Sequence, residues 1–103
     1  MPRTTIKIEC KDPRITNQKI NNILSLRGYK LINKKGENVW ENGMGLLAAE
    51  KYIKVEFNEN TLILSGWIKT TMPEREEDLN GMVGVIPKKQ ILKVIKEIQD
   101  AVV

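Results

Sequence analysis

The strongest constraint on this 103-residue chain is a pair of alternating segments, residues 52–57 and 61–69, which flank Asn58–Glu59–Asn60. If Glu59 and Asn60 form a two-residue turn, Asn58 faces Thr61 and the register of a hairpin follows. That register places apolar residues opposite each other on one face and pairs the aromatic residues on the other: Phe57 with Leu62, Val55 with Leu64, Ile53 with Gly66, Tyr52 with Trp67, and Glu56 with Ile63. A slip of one residue would destroy the match, so the pattern predicts an antiparallel hairpin.

The first 28 residues predict a strand followed by a helix. Residues 5–11 alternate, with Ile6, Ile8 and Cys10 on one side, which is typical of a half-buried strand. Asp12–Pro13 ends this strand and begins a helix, with Thr16 as a second candidate N-cap. The helix carries an apolar stripe that ends at a C-terminal glycine: Ile20, Ile23, Leu24, the stem of Arg27, and then Gly28.

The remaining segments predict a second hairpin, a loop and a closing helix. Residues 29–33 and 37–41 form the hairpin, with Lys34–Lys35–Gly36 between them. Asn42–Gly43 is a turn dipeptide, and residues 44–49 fit a bulged strand entry. The acidic stretch 70–78 is predicted to be an exposed loop, and residues 79–86 are apolar and punctuated by glycine. Pro87 opens a helix with one apolar stripe: Ile91, Val94, Ile95, Ile98 and Val102.

These elements give the order β-α-β-β-β-β-α and predict an α+β fold in one domain, residues 1–103. We expect an antiparallel sheet of about five strands with both helices packed on one face. That face carries the apolar rows of the strands: Ile6, Ile8, Val55, Phe57, Leu62 and Leu64. The element order is similar to the helix-grip arrangement of TATA-binding-protein (TBP-like) repeats, a resemblance of fold that implies no function.

The residue types present argue against common catalytic sites. The chain has no histidine and one cysteine, Cys10. Histidine is the usual general base near neutral pH and a frequent zinc ligand, so His-based triads and ordinary zinc sites are excluded. Cys10 alternates with two isoleucines and is interpreted as a small buried apolar residue. The sequence therefore predicts a protein that is not an enzyme, with no catalytic residues, no metal and no cofactor.

Positive charge is concentrated in the first third of the chain. Residues 1–35 hold nine Lys or Arg against two acidic residues, a net charge of +7, although the whole chain carries +4. Such asymmetry can reflect binding of nucleic acid or another anionic partner. No specific motif accompanies the charge, so the pattern favours a lysine-rich solvated surface over that interpretation. The loop Gly81–Met82–Val83–Gly84 precedes Pro87–Lys88–Lys89 at a helix start and offers an anion site, or else only a tight connection. The candidate residues for nucleic acid are Lys30, Lys34, Lys35, Lys88 and Lys89.

An aromatic cluster is predicted on the sheet face away from the helices. Its candidate partner-binding residues are Trp40, Tyr52, Ile63 and Trp67, with Lys54 placed to stack on a ring. We expect the cluster to be partly exposed in a monomer, and such patches often mark interfaces. The alternative is a cross-strand aromatic pair that only stabilises the sheet.

Nothing in the chain predicts a membrane segment. No apolar run is long enough to cross a bilayer, and the first residues contain no apolar core of a signal peptide. A single thiol fits a reducing compartment, so a cytoplasmic location is expected.

From Trp40 onward the chain resembles a small bacterial domain family of unassigned function, sometimes attached to zinc-ribbon segments. The resemblance is carried by four stretches, residues 43–47, 51–55, 66–69 and 79–89. The family supplies no activity to carry over, so the resemblance supports only the predicted fold and a protein without catalytic activity. This chain lacks the cysteines that a zinc ribbon requires.

Three functional hypotheses follow, each for a binding module. The first is self-association, as a dimer, or docking of a protein partner through the aromatic sheet face. The second is nucleic-acid binding through the basic first third and the Gly81–Lys89 loop. The third is a carrier of small apolar ligands with a cavity between the sheet and the C-terminal helix.

Overall fold

A computed structural model describes residues 3–43, 50–71, 74–77 and 85–102. In these ranges the chain forms two helices and six strands, and the predicted α+β architecture is confirmed. The elements are β1 (Thr4–Glu9), α1 (Pro13–Leu26), β2 (Lys30–Lys34), β3 (Glu37–Asn42), β4 (Glu50–Asn58), β5 (Thr61–Thr71), β6 (Glu74–Glu77) and α2 (Val85–Val102).

All six strands belong to one antiparallel sheet. Five follow the order β1-β5-β4-β3-β2, and β6 pairs with β5 beside β1. The predicted register of the central hairpin is confirmed pair by pair, from Asn58 opposite Thr61 to Tyr52 opposite Trp67. Because side chains alternate along a strand, this register decides which residues face the helices. We call that side the inner face and the opposite side the outer face.

The acidic stretch that was predicted to be a loop contains a strand. Residues 74–77 form β6 and pair with residues 68–71 of β5. β1 pairs only with residues 61–66 of β5, so the far end of that edge is open to a second strand. β6 completes this edge, and the prediction failed because charged composition alone does not show that an open edge lies nearby.

Local turn and cap signals match the structure. The Asp12 carboxylate accepts a hydrogen bond from the backbone N–H of Arg14 at the start of α1. Gly28, with φ +85°, follows the end of that helix. Lys35 and Gly36 both have positive φ, 53° and 83°, as a tight β2–β3 turn of the I′ type requires.

The main core lies between the inner face and the two helices. The predicted stripes of α1 and α2 pack there against the inner rows of β4 and β5, with Leu24 and Ile98 fully buried and Ile23 and Val102 partly buried. The stem of Arg27, predicted to extend the α1 stripe, is exposed instead. α2 begins at Val85, two residues before the predicted start at Pro87. The predicted strand entry at residues 44–49 and the Gly81–Gly84 loop lie outside the described residues.

Candidate functional site

The outer face carries the predicted aromatic pair. The rings of Tyr52 and Trp67 are stacked, with centroids 5.5 Å apart and an interplanar angle of 14°. They form a second, small cluster with Val39, and Ile32 packs against it. Ile63 lies on the same face and is half-buried, four residues before Trp67 along β5. The structure therefore brings Tyr52 and Trp67 into contact as the register predicts.

The expectation that this cluster is partly exposed is wrong. Tyr52 is 1% exposed and Trp67 is 2% exposed within the single chain. The Arg3 guanidinium lies 3.7 Å from the Trp67 ring centroid, and the Lys34 ammonium lies 4.8 Å from that of Tyr52. Long cationic side chains bury their stems on apolar surface while their charged ends interact elsewhere, so they cover the rings.

A carboxylate holds the Arg3 side chain in this position. Glu37 accepts two hydrogen bonds from the Arg3 guanidinium, at 2.9 and 3.0 Å, and pairs with Lys54 at 3.0 Å. The hydrogen bonds from Arg3 and Lys54 lower the pKa of Glu37 to about 2. Lys54 was predicted to stack on an aromatic ring. Its ammonium instead forms a salt bridge with Glu37, and the Glu56 carboxylate lies 3.9 Å away.

The Tyr52 hydroxyl is enclosed by charged groups. Lys34 donates to its oxygen at 2.6 Å, and the carboxylates of Glu41 and Glu50 lie within hydrogen-bonding distance of the hydroxyl. Burial and these two carboxylates raise the pKa of Tyr52, so the hydroxyl keeps its proton. Together with the Arg3 cover, these contacts enclose the Tyr52–Trp67 pair beneath charged side chains on the outer face.

Trp40 lies on the other face from the one predicted. It is opposite Ile53 in the β3–β4 ladder and is 8% exposed in the main core on the inner face. Val39, its neighbour in sequence, occupies the outer face instead. Two adjacent apolar residues must point to opposite sides of a strand, and only the pairing with β4 decides which side each takes.

The candidate nucleic-acid residues do not converge. Lys34 and Lys35 lie at the β2–β3 turn, whereas Lys88 and Lys89 lie near the start of α2, beside the opposite end of β3. Lys88 is only 3% exposed and interacts within the protein. Lys30 is opposite Glu41 at that same end of β3, so the five predicted residues are divided between the two ends of the β2–β3 hairpin.

A groove runs along α2 on the inner side of the sheet. Its opposite wall is formed by the end of α1, the α1–β2 connection and the ends of β3 and β4, and its volume is about 560 Å³. Volumes of this size are typical of small-molecule sites. The lining mixes charged, polar and apolar side chains: Arg27, Tyr29, Asn42, Lys51, Gln90, Lys93, Val94, Lys96, Glu97 and Asp100. Four cations against two carboxylates give this groove, the α2 groove, a net charge of +2.

Lys51 is the least exposed of the four cationic residues that line the α2 groove. Lys51 lies on the inner face of β4, two residues before Ile53. Its ammonium donates a hydrogen bond to the Gln90 side-chain carbonyl at 2.6 Å. Burial lowers the pKa of Lys51. Within the described ranges, no carboxylate forms a salt bridge with Lys51.

The end of the α2 groove near α1 is held by paired groups. Arg27 makes two hydrogen bonds of 2.9 Å to Glu97, which joins the end of α1 to α2. Asn42 donates to the Arg27 carbonyl at 3.0 Å. Tyr29 is 5% exposed, and burial raises its pKa to about 12, so its phenol stays protonated at neutral pH. These contacts preform the groove without a ligand.

A second groove, of about 840 Å³, lies at the other end of β4, beside the β4–β5 turn. Several of its polar groups already serve the fold. Asp12 caps α1, the Lys19 ammonium donates to the Ala101 carbonyl at 3.3 Å, and the Cys10 backbone N–H donates to the Asn60 carbonyl at 2.8 Å. Its charged lining is slightly acidic, with three carboxylates against two lysines. The α2 groove is therefore the better candidate for a ligand.

The polar residues of the α2 groove were not predicted from the sequence. The third hypothesis expected a cavity between the sheet and the C-terminal helix, but with an apolar lining. The sequence does contain an indication of a polar residue on the inner face. Lys51 alternates along β4 with three apolar residues of that face, Ile53, Val55 and Phe57. A lysine in a row that faces the core needs a polar partner, which Gln90 of α2 supplies.

Comparisons with protein families, with curated proteins and with solved structures find no match to this chain. The resemblance noted from Trp40 onward stays a prediction. Within the part of the chain that the structure describes, neither helix is both long and apolar enough to cross a membrane. The geometry of the α2 groove and of the outer face is therefore the basis for inferring a function.

Proposed function

We propose that this protein is a binding module, without catalytic activity of its own, and that it holds a small organic ligand in the α2 groove. The observation that carries the proposal is a preformed groove of about 560 Å³ whose lining combines an apolar wall with hydrogen-bond donors. Ligand sites typically combine an apolar wall with a few placed polar groups in this way. The absence of histidine from the chain and the burial of Cys10 favour binding over catalysis.

Rigid surroundings support this assignment. Val94 is 8% exposed and Tyr29 is 5% exposed, and both belong to the main core while lining the groove. The Arg27–Glu97 pair ties the two helices together at the groove. A preformed wall lowers the ordering cost of binding, which favours affinity for a small ligand.

The outer face supports a partner-docking role less well. Hot-spot side chains at interfaces need to reach a partner, and aromatic anchors are the commonest of them. Here Tyr52 and Trp67 lie beneath Arg3, Lys34 and their carboxylate partners. Docking through this face stays a prediction that requires the cationic cover to move, whereas the α2 groove requires no rearrangement.

Fragment screening by NMR tests the proposal. We expect small organic fragments at millimolar concentration to shift backbone amide signals of residues that line the α2 groove. Lys93→Trp places a ring in the groove and should weaken these fragments at least fivefold, about 1 kcal/mol. Lys89→Trp, one turn earlier on α2 and outside the groove lining, is the matched control and should change nothing.

Two results would count against this function. Fragments that shift only signals on the outer face would place the ligand site there instead. A set of fragments that perturbs no residue of the α2 groove would show that the groove is a surface feature without binding capacity.

A further inference from the structure

Lys51 and Gln90 present two adjacent hydrogen-bond donors to the α2 groove. The Lys51 ammonium has three hydrogens and gives one to the Gln90 carbonyl oxygen, 2.6 Å away. That bond fixes the orientation of the Gln90 amide, because its oxygen must face the lysine. The amide nitrogen of Gln90 then remains a donor beside the ammonium, and both side chains line the groove.

The charge of Lys51 is not balanced by the described part of the chain. Arg27 is paired with Glu97, and Lys54 on the outer face is paired with Glu37. Among the side chains that the structure describes, the partner of Lys51 is the neutral amide of Gln90. A partly buried cation without a counter-charge is costly, and burial lowers its pKa accordingly. An anion in the groove would remove this cost.

Apolar surface lies within the same groove. Tyr29 contributes its ring and a phenol that stays protonated, and Val94 contributes an apolar wall from α2. A ligand that satisfies the whole lining therefore has a negative end with at least two acceptor atoms and an apolar body.

Resting on the function proposed above, we infer that the ligand of the α2 groove is an organic acid with a single carboxylate and an apolar body. One carboxylate oxygen accepts from the Lys51 ammonium and the other accepts from the Gln90 amide nitrogen. The apolar body packs on Tyr29 and Val94. A carboxylate suits this site because its two oxygens match two neighbouring donors, one of them charged.

The test compares 3-phenylpropionate with its neutral amide, 3-phenylpropionamide, by NMR titration and calorimetry. The two probes share an apolar body and differ in charge. We expect the acid to bind at least tenfold more tightly than the amide. Lys51→Met keeps the apolar stem, removes the charge, and should reduce the acid to the affinity of the amide while leaving the amide unchanged. Lys7→Met, an exposed lysine of the outer face, is the matched control and should leave both affinities unchanged.

A second variant keeps the test decisive if Lys51→Met lowers stability. Gln90→Glu is nearly isosteric, is exposed on α2, and places a carboxylate beside Lys51. It should reduce binding of the acid below that of the amide, because the new carboxylate neutralises Lys51, replaces the Gln90 donor by an acceptor, and repels the carboxylate of the acid.

The outcomes separate this inference from the proposed function. Equal affinities for the acid and the amide, with groove signals shifted by both, would overturn the inference and leave the binding function standing. An acid whose affinity is unchanged in both Lys51→Met and Gln90→Glu would do the same. Failure of both probes to shift any groove signal would overturn the inference. The proposed function falls with it only if the fragment screen also perturbs no residue of the α2 groove.

Discussion

Trp67→Ala tests whether the outer aromatic cluster is a core or a docking surface. Trp67 is 2% exposed, stacked on Tyr52 and covered by the Arg3 guanidinium at 3.7 Å. Truncation of a buried Trp costs about 3–5 kcal/mol. The lost ring stacking adds about 0.5–1.5 kcal/mol, partly included in that range. We therefore expect a loss of about 4 kcal/mol from a stability of order 5–15 kcal/mol.

Urea unfolding followed by far-UV circular dichroism measures this loss, since the substitution removes a fluorophore. A loss of 4 kcal/mol lowers the urea midpoint by about 2 M for a domain of this size. Leu31→Ala is the control, because Leu31 is 58% exposed and its loss should stay within about 0.5 kcal/mol. If Trp67→Ala fails to fold, Trp67→Phe provides a milder truncation with the same direction of change.

Light scattering on the same samples measures the oligomeric state. The core interpretation predicts that Trp67→Ala changes stability and leaves the mass of the folded species unchanged. A variant that keeps its stability within 1 kcal/mol but changes from dimer to monomer would refute the reasoning. It would also restore the hypothesis that this face docks a partner.

Three further predictions concern other parts of the structure. The pKa of Glu37 is about 2 in the folded protein against a usual 4.5. The stability that this carboxylate contributes to the fold is therefore fully present above pH 4.5 and is lost as the pH falls towards 2. Because this carboxyl is 27% exposed, we expect it to contribute about 1–2 kcal/mol to the free energy of unfolding. Acid unfolding measures this contribution, since Glu37→Gln should lose less stability than the unmodified protein as the pH falls; identical acid unfolding of both proteins would contradict it. Lys35→Asn should raise stability by about 0.5 kcal/mol in a thermal melt, since φ is +53° there and Asn–Gly suits this turn; a lower melting temperature would refute it. Labelled DNA and RNA should show no tight binding in fluorescence anisotropy at low salt, because the candidate lysines do not converge; tight binding that falls steeply with salt and is lost in Lys30→Glu would overturn this expectation.

The local structure of this protein can be inferred from its amino-acid sequence. The register of the β4–β5 hairpin, the stripes of both helices, the Asp12 cap and the Lys35–Gly36 turn all follow from residues close together in the chain. Such features depend on a period of two or 3.6 residues, or on the backbone preference of one or two residues, so they can be inferred without the fold.

Three features depend on the tertiary structure: the sheet face on which Trp40 lies, the Arg3 side chain that covers the Trp67 ring, and the set of residues that line the α2 groove. Arg3 reaches Glu37 across 34 positions of sequence, and Lys51 reaches Gln90 across 39. Periodicity assigns a residue to a face relative to its own strand, but it carries no information on which distant side chains lie across that face. The exposure of the aromatic pair and the charge of the groove depend on those distant side chains, so only the folded chain reveals them.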